Sequence, residues 1–140
     1  MRRVLLTLIL LCAVLVSACG GDDAEGTNSD TGAISAVEDY LQAKVSADED
    51  GIREFICAER EGDIPLEAAS FASIDASIEA MSCALDGTSG DYTLVTCSGE
   101  IVMVYGEETN TRPLATYQAI EEDGEWRWCG EGVTEASDEG

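Results

Sequence analysis

The chain has 140 residues and is strongly acidic, with 29 Asp and Glu against 7 Lys and Arg and a formal net charge of −22. A basic stripe is the electrostatic footprint of nucleic-acid binding, and so few scattered cations cannot form one, so nucleic acid is not an expected partner. The chain contains no histidine, which removes the commonest general base and the usual nitrogen ligand of metal sites.

The N-terminal segment has the layout of a secretory signal peptide. Arg2 and Arg3 precede an apolar run over residues 4–16, and small residues follow before Cys19. A helix over that run would rise about 20 Å, which is short of the roughly 30 Å hydrocarbon core of a bilayer. The sequence therefore predicts export with removal of residues 1–18, and not a transmembrane helix. An ordinary cleaved signal that happens to end near a cysteine is the alternative.

The residues that close this segment, Val16-Ser17-Ala18-Cys19, resemble the lipobox of bacterial lipoproteins. The resemblance implies cleavage before Cys19, a thioether-linked diacylglycerol on its sulfur and frequent acylation of the freed amine. Two acyl chains on one residue suffice for stable anchoring. We therefore expect the protein to be lipid-anchored to the cell membrane or envelope, facing the extracytoplasmic side, with the membrane as a partner through this anchor.

The rest of the chain is predicted to consist of a linker, one domain and a tail. Residues 19–32 comprise the lipidated cysteine and a stretch without large apolar residues, which predicts a flexible acidic linker. Residues 33–133 have the length of a single domain. Residues 134–140 are acidic, lack apolar anchors and are predicted to form a disordered tail.

Helical periodicity marks the first part of the domain. Apolar residues at intervals of three and four predict an amphipathic helix over residues 33–47, with its N-cap at Ser35. Acidic residues at 48–50 favour the positive end of a helix dipole and predict a second helix that continues through about Arg60. A shorter third helix is predicted over residues 64–74, with Leu66 among its apolar anchors.

The pattern then changes to the alternation of an antiparallel sheet. Strands are predicted near residues 77–85, 92–105, 114–122 and 125–131. Ser98-Gly99 in the middle of the long second strand predicts a bulge or bend, and Asp123-Gly124 predicts a tight hairpin turn. Four strands that follow in meander order, one of them bent, favour a curved sheet on which the helices pack.

The four cysteines beyond Cys19 predict two disulfides, because an even number is present in an exported chain. Cys83 and Cys97 lie on consecutive predicted strands that flank a short loop, so they can face each other across the hairpin. This pairing leaves Cys57 with Cys129. The alternative is a zinc site of four thiolates, but no two of these cysteines have the close spacing of such a site, so no metal is expected.

The element order and the last hairpin resemble the nuclear transport factor 2 like superfamily, in particular its small exported cystatin-like members. Asp123-Gly124 followed by the aromatic strand with Trp126 and Trp128 carries the resemblance, which covers residues 33–133. It implies an α+β fold with N-terminal helices packed on a curved four-stranded antiparallel sheet and a cone-like pocket between them. Another α+β topology is the alternative. Trp126, Trp128 and Tyr117 are the candidate pocket residues, although aromatic residues on such strands are more often core.

Two classes of function follow from these observations. The first is a noncatalytic binding or interaction module that holds a small apolar ligand or an envelope protein through the concave side of the sheet. The alternative is a lipid-anchored enzyme that uses carboxylate or tyrosine acid-base chemistry in the cone. No catalytic residue is singled out among so many carboxylates, the acidic runs are interpreted as solvated surface, and no cofactor is expected.

Overall fold

The computed structural model describes residues 25–133, with side chains from Asp30 onward. The predicted signal peptide, Cys19 and residues 134–140 lie outside the described residues. Three α-helices come first, with a 3-10 helix (Ala58–Asp63) before the third: α1 (Glu25–Val45), α2 (Glu49–Phe55) and α3 (Ile64–Ala69). Five strands follow: β1 (Asp75–Ser89), β2 (Tyr92–Tyr105), β3 (Glu108–Pro113), β4 (Thr116–Glu122) and β5 (Glu125–Glu131).

The described chain is an α+β fold in which the three helices pack on one antiparallel sheet, and this part of the prediction is confirmed. The predicted number of four strands is wrong, because β3 is a fifth strand. It pairs with the second half of β2, while β4 pairs with the first half, so the two follow each other along one edge of β2. Every residue of β3 is exposed, and its polar sequence therefore lacks the apolar alternation that marks a half-buried strand.

Helix α1 begins earlier than the sequence predicts. It starts at Glu25, so residues 25–32 are helical where a linker is predicted, and Ser35 lies inside the helix and not at its N-cap. The reason lies in a tertiary contact. A methyl group added at Gly32 would overlap the indole of Trp126 on β5, so the helix backbone packs directly against that ring. A contact between residues so distant in sequence leaves no trace in local periodicity.

Helix α2 ends at Phe55, short of the predicted end at Arg60. Ile56 takes an extended conformation and forms a parallel bridge with Trp128 of β5, and the N–H of Cys57 donates to the Trp128 carbonyl at 2.8 Å. The segment leaves the helix because β5 supplies a competing hydrogen-bond partner. In the third helix, the prediction of Leu66 as a buried anchor is wrong, because its side chain is 70 % exposed. Ile64 is the buried residue of this helix.

The sheet has strand order β1-β2-β4-β5 and is bent at the position that the sequence indicates. The register of β1 against β2 shifts between Glu79 and Ser82, opposite Gly99. Gly99 has φ +106°, and a Cβ there would lie 2.6 Å from the Glu79 carbonyl oxygen, so the bend requires glycine. The predicted two-residue turn at Asp123-Gly124 is also confirmed, since both residues have positive φ between paired strand ends.

Two disulfides link the elements in the pairing that the sequence predicts. Cys83 and Cys97 are directly opposite each other in the β1-β2 register, with Cα atoms 4.0 Å apart. Cys57 and Cys129 join the chain after α2 to β5, with Cα atoms 5.2 Å apart. The second bond fixes the 3-10 helix beside the end of β5, which matters for the site described below.

The core lies between α1 and the sheet. Its largest fully buried side chains include Tyr40 and Val37 of α1, Ile52 of α2 and Val95 of β2. Trp128 of β5 is 3 % exposed and belongs to the same cluster. Among the described helices, none is both long enough and apolar enough to cross a membrane.

Candidate functional site

Two aromatic rings form the centre of the contact between α1 and β5. Tyr40 projects from the buried face of α1 and stacks on Trp128, with ring centroids 3.8 Å apart and planes inclined by 7°. The guanidinium carbon of Arg60, on the 3-10 helix, lies 5.5 Å from the Trp128 ring centroid, within the range of a cation–π contact. Trp128 is thus a core residue whose surroundings hold its ring in one position.

The cavity between α1 and the sheet is small, with a volume of about 40 Å³. Of the candidate pocket residues, Tyr117 and Trp128 line it, and Trp126 packs against Gly32 of α1 instead. A site of that volume has room for a few water molecules, whereas pockets for small organic ligands measure about 300–1,000 Å³. The cavity that Tyr117 and Trp128 line is therefore too small for such a ligand.

A larger cleft opens beside this cavity toward solvent. Its volume is about 320 Å³, and it lies where α1, the 3-10 helix, α3 and β5 meet. We call it the Trp128 cleft, and it is lined by Lys44, Arg60, Glu67, Trp128 and Glu131. The cleft therefore combines a buried aromatic wall with side chains of both charges.

Each cation at the Trp128 cleft has a carboxylate partner. Lys44 Nζ lies 2.6 Å from Glu67 Oε2, and this pair is the least exposed of those at the cleft. Arg60 Nε is 3.3 Å from an oxygen of Asp63 in its own 3-10 helix. At the rim, the guanidinium of Arg112 lies 3.3 Å from the Glu131 carboxylate. Charges of both signs are thus present at one opening.

The distribution of charge makes this cleft different from the rest of the described surface. Within residues 30–133 there are five Lys and Arg side chains, each in an ion pair; Lys44 and Arg60 line the cleft, and Arg112 is paired with Glu131, which also lines it. The sequence gives no sign of this convergence, because the three cations are far apart along the chain. The fold produces a locally balanced opening on an otherwise acidic molecule.

Two buried polar groups belong to the stacked rings of Tyr40 and Trp128, of which Trp128 also lines the cleft. Trp128 Nε1 is inaccessible to solvent and donates to no acceptor in the part of the chain that the structure describes. Burial, followed by the nearby Glu67 carboxylate, raises the pKa of the Tyr40 hydroxyl well above its ordinary value of 10.0. Tyr40 therefore keeps its proton at neutral pH.

Other candidate chemistry does not come together within residues 25–133. The four cysteines of the domain are in disulfides, so they present no thiolate there. No group of three or more His, Cys, Asp or Glu side chains in this described part is arranged to hold a metal ion. Comparison with protein-family models, with curated proteins and with solved structures finds no match to this chain.

Proposed function

We propose that the protein is a membrane-tethered extracytoplasmic lipoprotein whose domain is a noncatalytic binding module, with the Trp128 cleft as its binding surface. One observation carries the choice of surface: on a chain of net charge −22, two of the five described cations line a solvent-open cleft with an aromatic wall, and a third, Arg112, is paired with a carboxylate that lines it. The ending Val16-Ser17-Ala18-Cys19 supports the tether.

The position of the cleft relative to the anchor fits this role. Five residues lie between Cys19 and Glu25, the first residue of α1, so the Cα atoms of these two residues are at most about 20 Å apart. Gly32 contacts Trp126 and Tyr40 contacts Trp128, so α1 and β5 run side by side in the same direction. Lys44 near the end of α1 lies about 28 Å from Glu25 along the helix axis, because a helix rises about 1.5 Å per residue. The cleft therefore lies at the end of α1 opposite to the one that leads to Cys19.

The geometry favours the cleft over the enclosed cavity as the binding surface. The cavity between helix and sheet is about 40 Å³, too small for the apolar ligand that a cone-like pocket would hold. We propose that the domain is a variant of the nuclear transport factor 2 like fold in which Tyr40 and Trp128 fill the cone. The long α1 and the bend at Gly99 support this relationship.

The high pKa of Tyr40 also favours binding over catalysis. A general base must give up its own proton near the working pH, and burial prevents the Tyr40 hydroxyl from doing so. The tyrosine nearest to the acidic and basic groups of the cleft is therefore poorly suited to acid-base chemistry.

The tether is tested with two cysteine variants of the full chain, expressed in a bacterial host that processes lipoproteins. Cys19→Ser removes the proposed lipid acceptor, and Cys12→Ser is the matched control in the segment that cleavage removes. In detergent phase partition we expect the wild type and Cys12→Ser in the detergent phase, each with the mass of the chain from Cys19 plus its acyl groups. Cys19→Ser should lack that added mass. If Cys19→Ser keeps the lipid-modified mass, the proposed anchor is wrong.

A further inference from the structure

We propose that the Trp128 cleft binds a small zwitterion, such as a free dipeptide, through simultaneous contacts with its ammonium and carboxylate groups. This inference rests on the proposed function, because it takes the same cleft as the binding surface. It adds the chemical class of the ligand, which the net charge of the chain, the exposed ion pairs of the cleft and the volume of the cleft support.

The charge of the whole chain restricts the class of ligand. A net charge of −22 repels small anions at long range and attracts cations to many places on the surface, so neither is selected for one cleft. A zwitterion carries no net charge and escapes the repulsion. It needs partners of both signs close together. The cleft supplies two cations, Lys44 and Arg60, and two carboxylates, those of Glu67 and Glu131.

The ion pairs at the rim can open to admit such a ligand. The side chains of Arg112 and Glu131 are 64 % and 57 % exposed, and those of Arg60 and Asp63 are 36 % and 45 % exposed. Exposed ion pairs stabilise a protein by only about 0–1 kcal/mol, so separating them costs little. The ligand ammonium would then pair with Glu131, and the ligand carboxylate would pair with Arg112 or Arg60. Each protein ion pair that opens is thereby replaced by an ion pair with the ligand.

The size of the cleft agrees with a ligand of this class. The cleft, at about 320 Å³, falls at the lower end of the range of small-molecule sites. Trp128 lines the cleft, and its indole N–H is buried and has no acceptor among the described residues. Because that N–H is inaccessible to solvent, Trp128 serves as a reporter of a ligand beside its ring, and the charged side chains of the lining contact the ligand.

The probe is the dipeptide Ala-Ala, compared with N-acetyl-Ala-Ala and with Ala-Ala amide, each of which lacks one of the two charges. The protein is the mature lipoprotein, labelled with ¹⁵N and held in detergent micelles. The readout is the indole N–H signal of Trp128, which is assigned with Trp126→Phe because the chain has only two tryptophans. We expect Ala-Ala to shift this signal in a saturable way with a millimolar Kd and both blocked peptides to bind at least about tenfold more weakly.

The location is tested with a matched pair of variants. Glu131→Gln removes a carboxylate of the cleft, and Glu125→Gln removes one that pairs with Arg127 outside it. We expect Glu131→Gln to weaken Ala-Ala binding about tenfold and Glu125→Gln to leave it unchanged. The proposal is overturned if Ala-Ala gives no shift up to about 10 mM, if the three peptides bind equally, or if the two variants behave alike. The proposed lipid anchor is tested independently of ligand binding, by the mass of the Cys19→Ser variant.

Discussion

At the residue scale, Trp128 shows how one side chain can serve the core and the site together. Its strand position predicts either a core residue or a pocket residue, and the structure places its ring between α1 and the sheet, 3 % exposed and stacked on Tyr40. The ring also places one charged group, because the Arg60 guanidinium lies over it at 5.5 Å. The aromatic wall of the cleft is therefore rigid.

Tyr40 gives a prediction about alkaline stability. Its raised pKa means that the folded protein holds the phenol proton at a pH where the unfolded chain has lost it. The stabilising contribution is complete below pH 10 and is lost as pH rises beyond it, by at most about 1.4 kcal/mol per pH unit. Tyr40→Phe removes this contribution, so its unfolding free energy should fall less steeply between about pH 10 and about pH 11 than that of the wild type.

Urea unfolding at the two pH values measures the difference. Tyr105→Phe, at a ring that is 46 % exposed, is the control and should follow the wild type. The unfolding free energy of Tyr40→Phe should still fall somewhat as the pH rises, because burial also raises the pKa of Tyr117. Equal slopes for Tyr40→Phe and the wild type would contradict the prediction.

At the scale of elements, local signals were sufficient for some features and not for others. The hairpin turn at Asp123-Gly124 and the bend at Gly99 were predictable, because both depend on the backbone freedom of residues at those positions. The early start of α1 and the early end of α2 depend on contacts with β5, far along the chain. The same reason hides the candidate site, since Lys44 and Arg60 in its lining, and Arg112 paired with Glu131, come together only in the folded chain.

The two disulfides should differ in how they stabilise these elements. Cys57–Cys129 closes a loop with a sequence separation of 72, and Cys83–Cys97 one of 14. On the chain-entropy account, replacing each pair by alanine costs about 4 kcal/mol and about 3 kcal/mol respectively. Loss of the first bond should also loosen the 3-10 helix beside β5, because that bond joins them directly.

Hydrogen exchange at position 57 distinguishes this local effect from a general loss of stability. The amide at 57 donates to the Trp128 carbonyl at 2.8 Å and should exchange slowly in the wild type. We expect it to exchange faster in the double variant Cys57→Ala/Cys129→Ala than in Cys83→Ala/Cys97→Ala, once both are compared at equal unfolding free energy. Similar exchange in the two variants would mean that the bond does not fix this junction.

At the scale of the whole molecule, the excess of carboxylates should make stability depend strongly on salt. The chain has 29 acidic and 7 basic residues, and every cation in residues 30–133 already has an acidic partner, so the remaining carboxylates repel one another. Raising NaCl from about 10 mM to about 1 M shortens the Debye length from about 30 Å to about 3 Å. The weakening of exposed ion pairs opposes this gain, but each is worth only about 0–1 kcal/mol.

We therefore expect the Tm at pH 7 to rise with NaCl by at least about 4–8 °C, which corresponds to about 1 kcal/mol for a domain of this size. Thermal unfolding followed by circular dichroism measures it, and KCl should act equally, because screening does not distinguish the two cations. Near pH 4, where carboxylic acids in general take up protons, the effect should shrink. A Tm that stays constant or falls with NaCl at pH 7 would show that the acidic surface does not oppose folding. In that case repulsion among the carboxylates would not limit the stability of the folded chain.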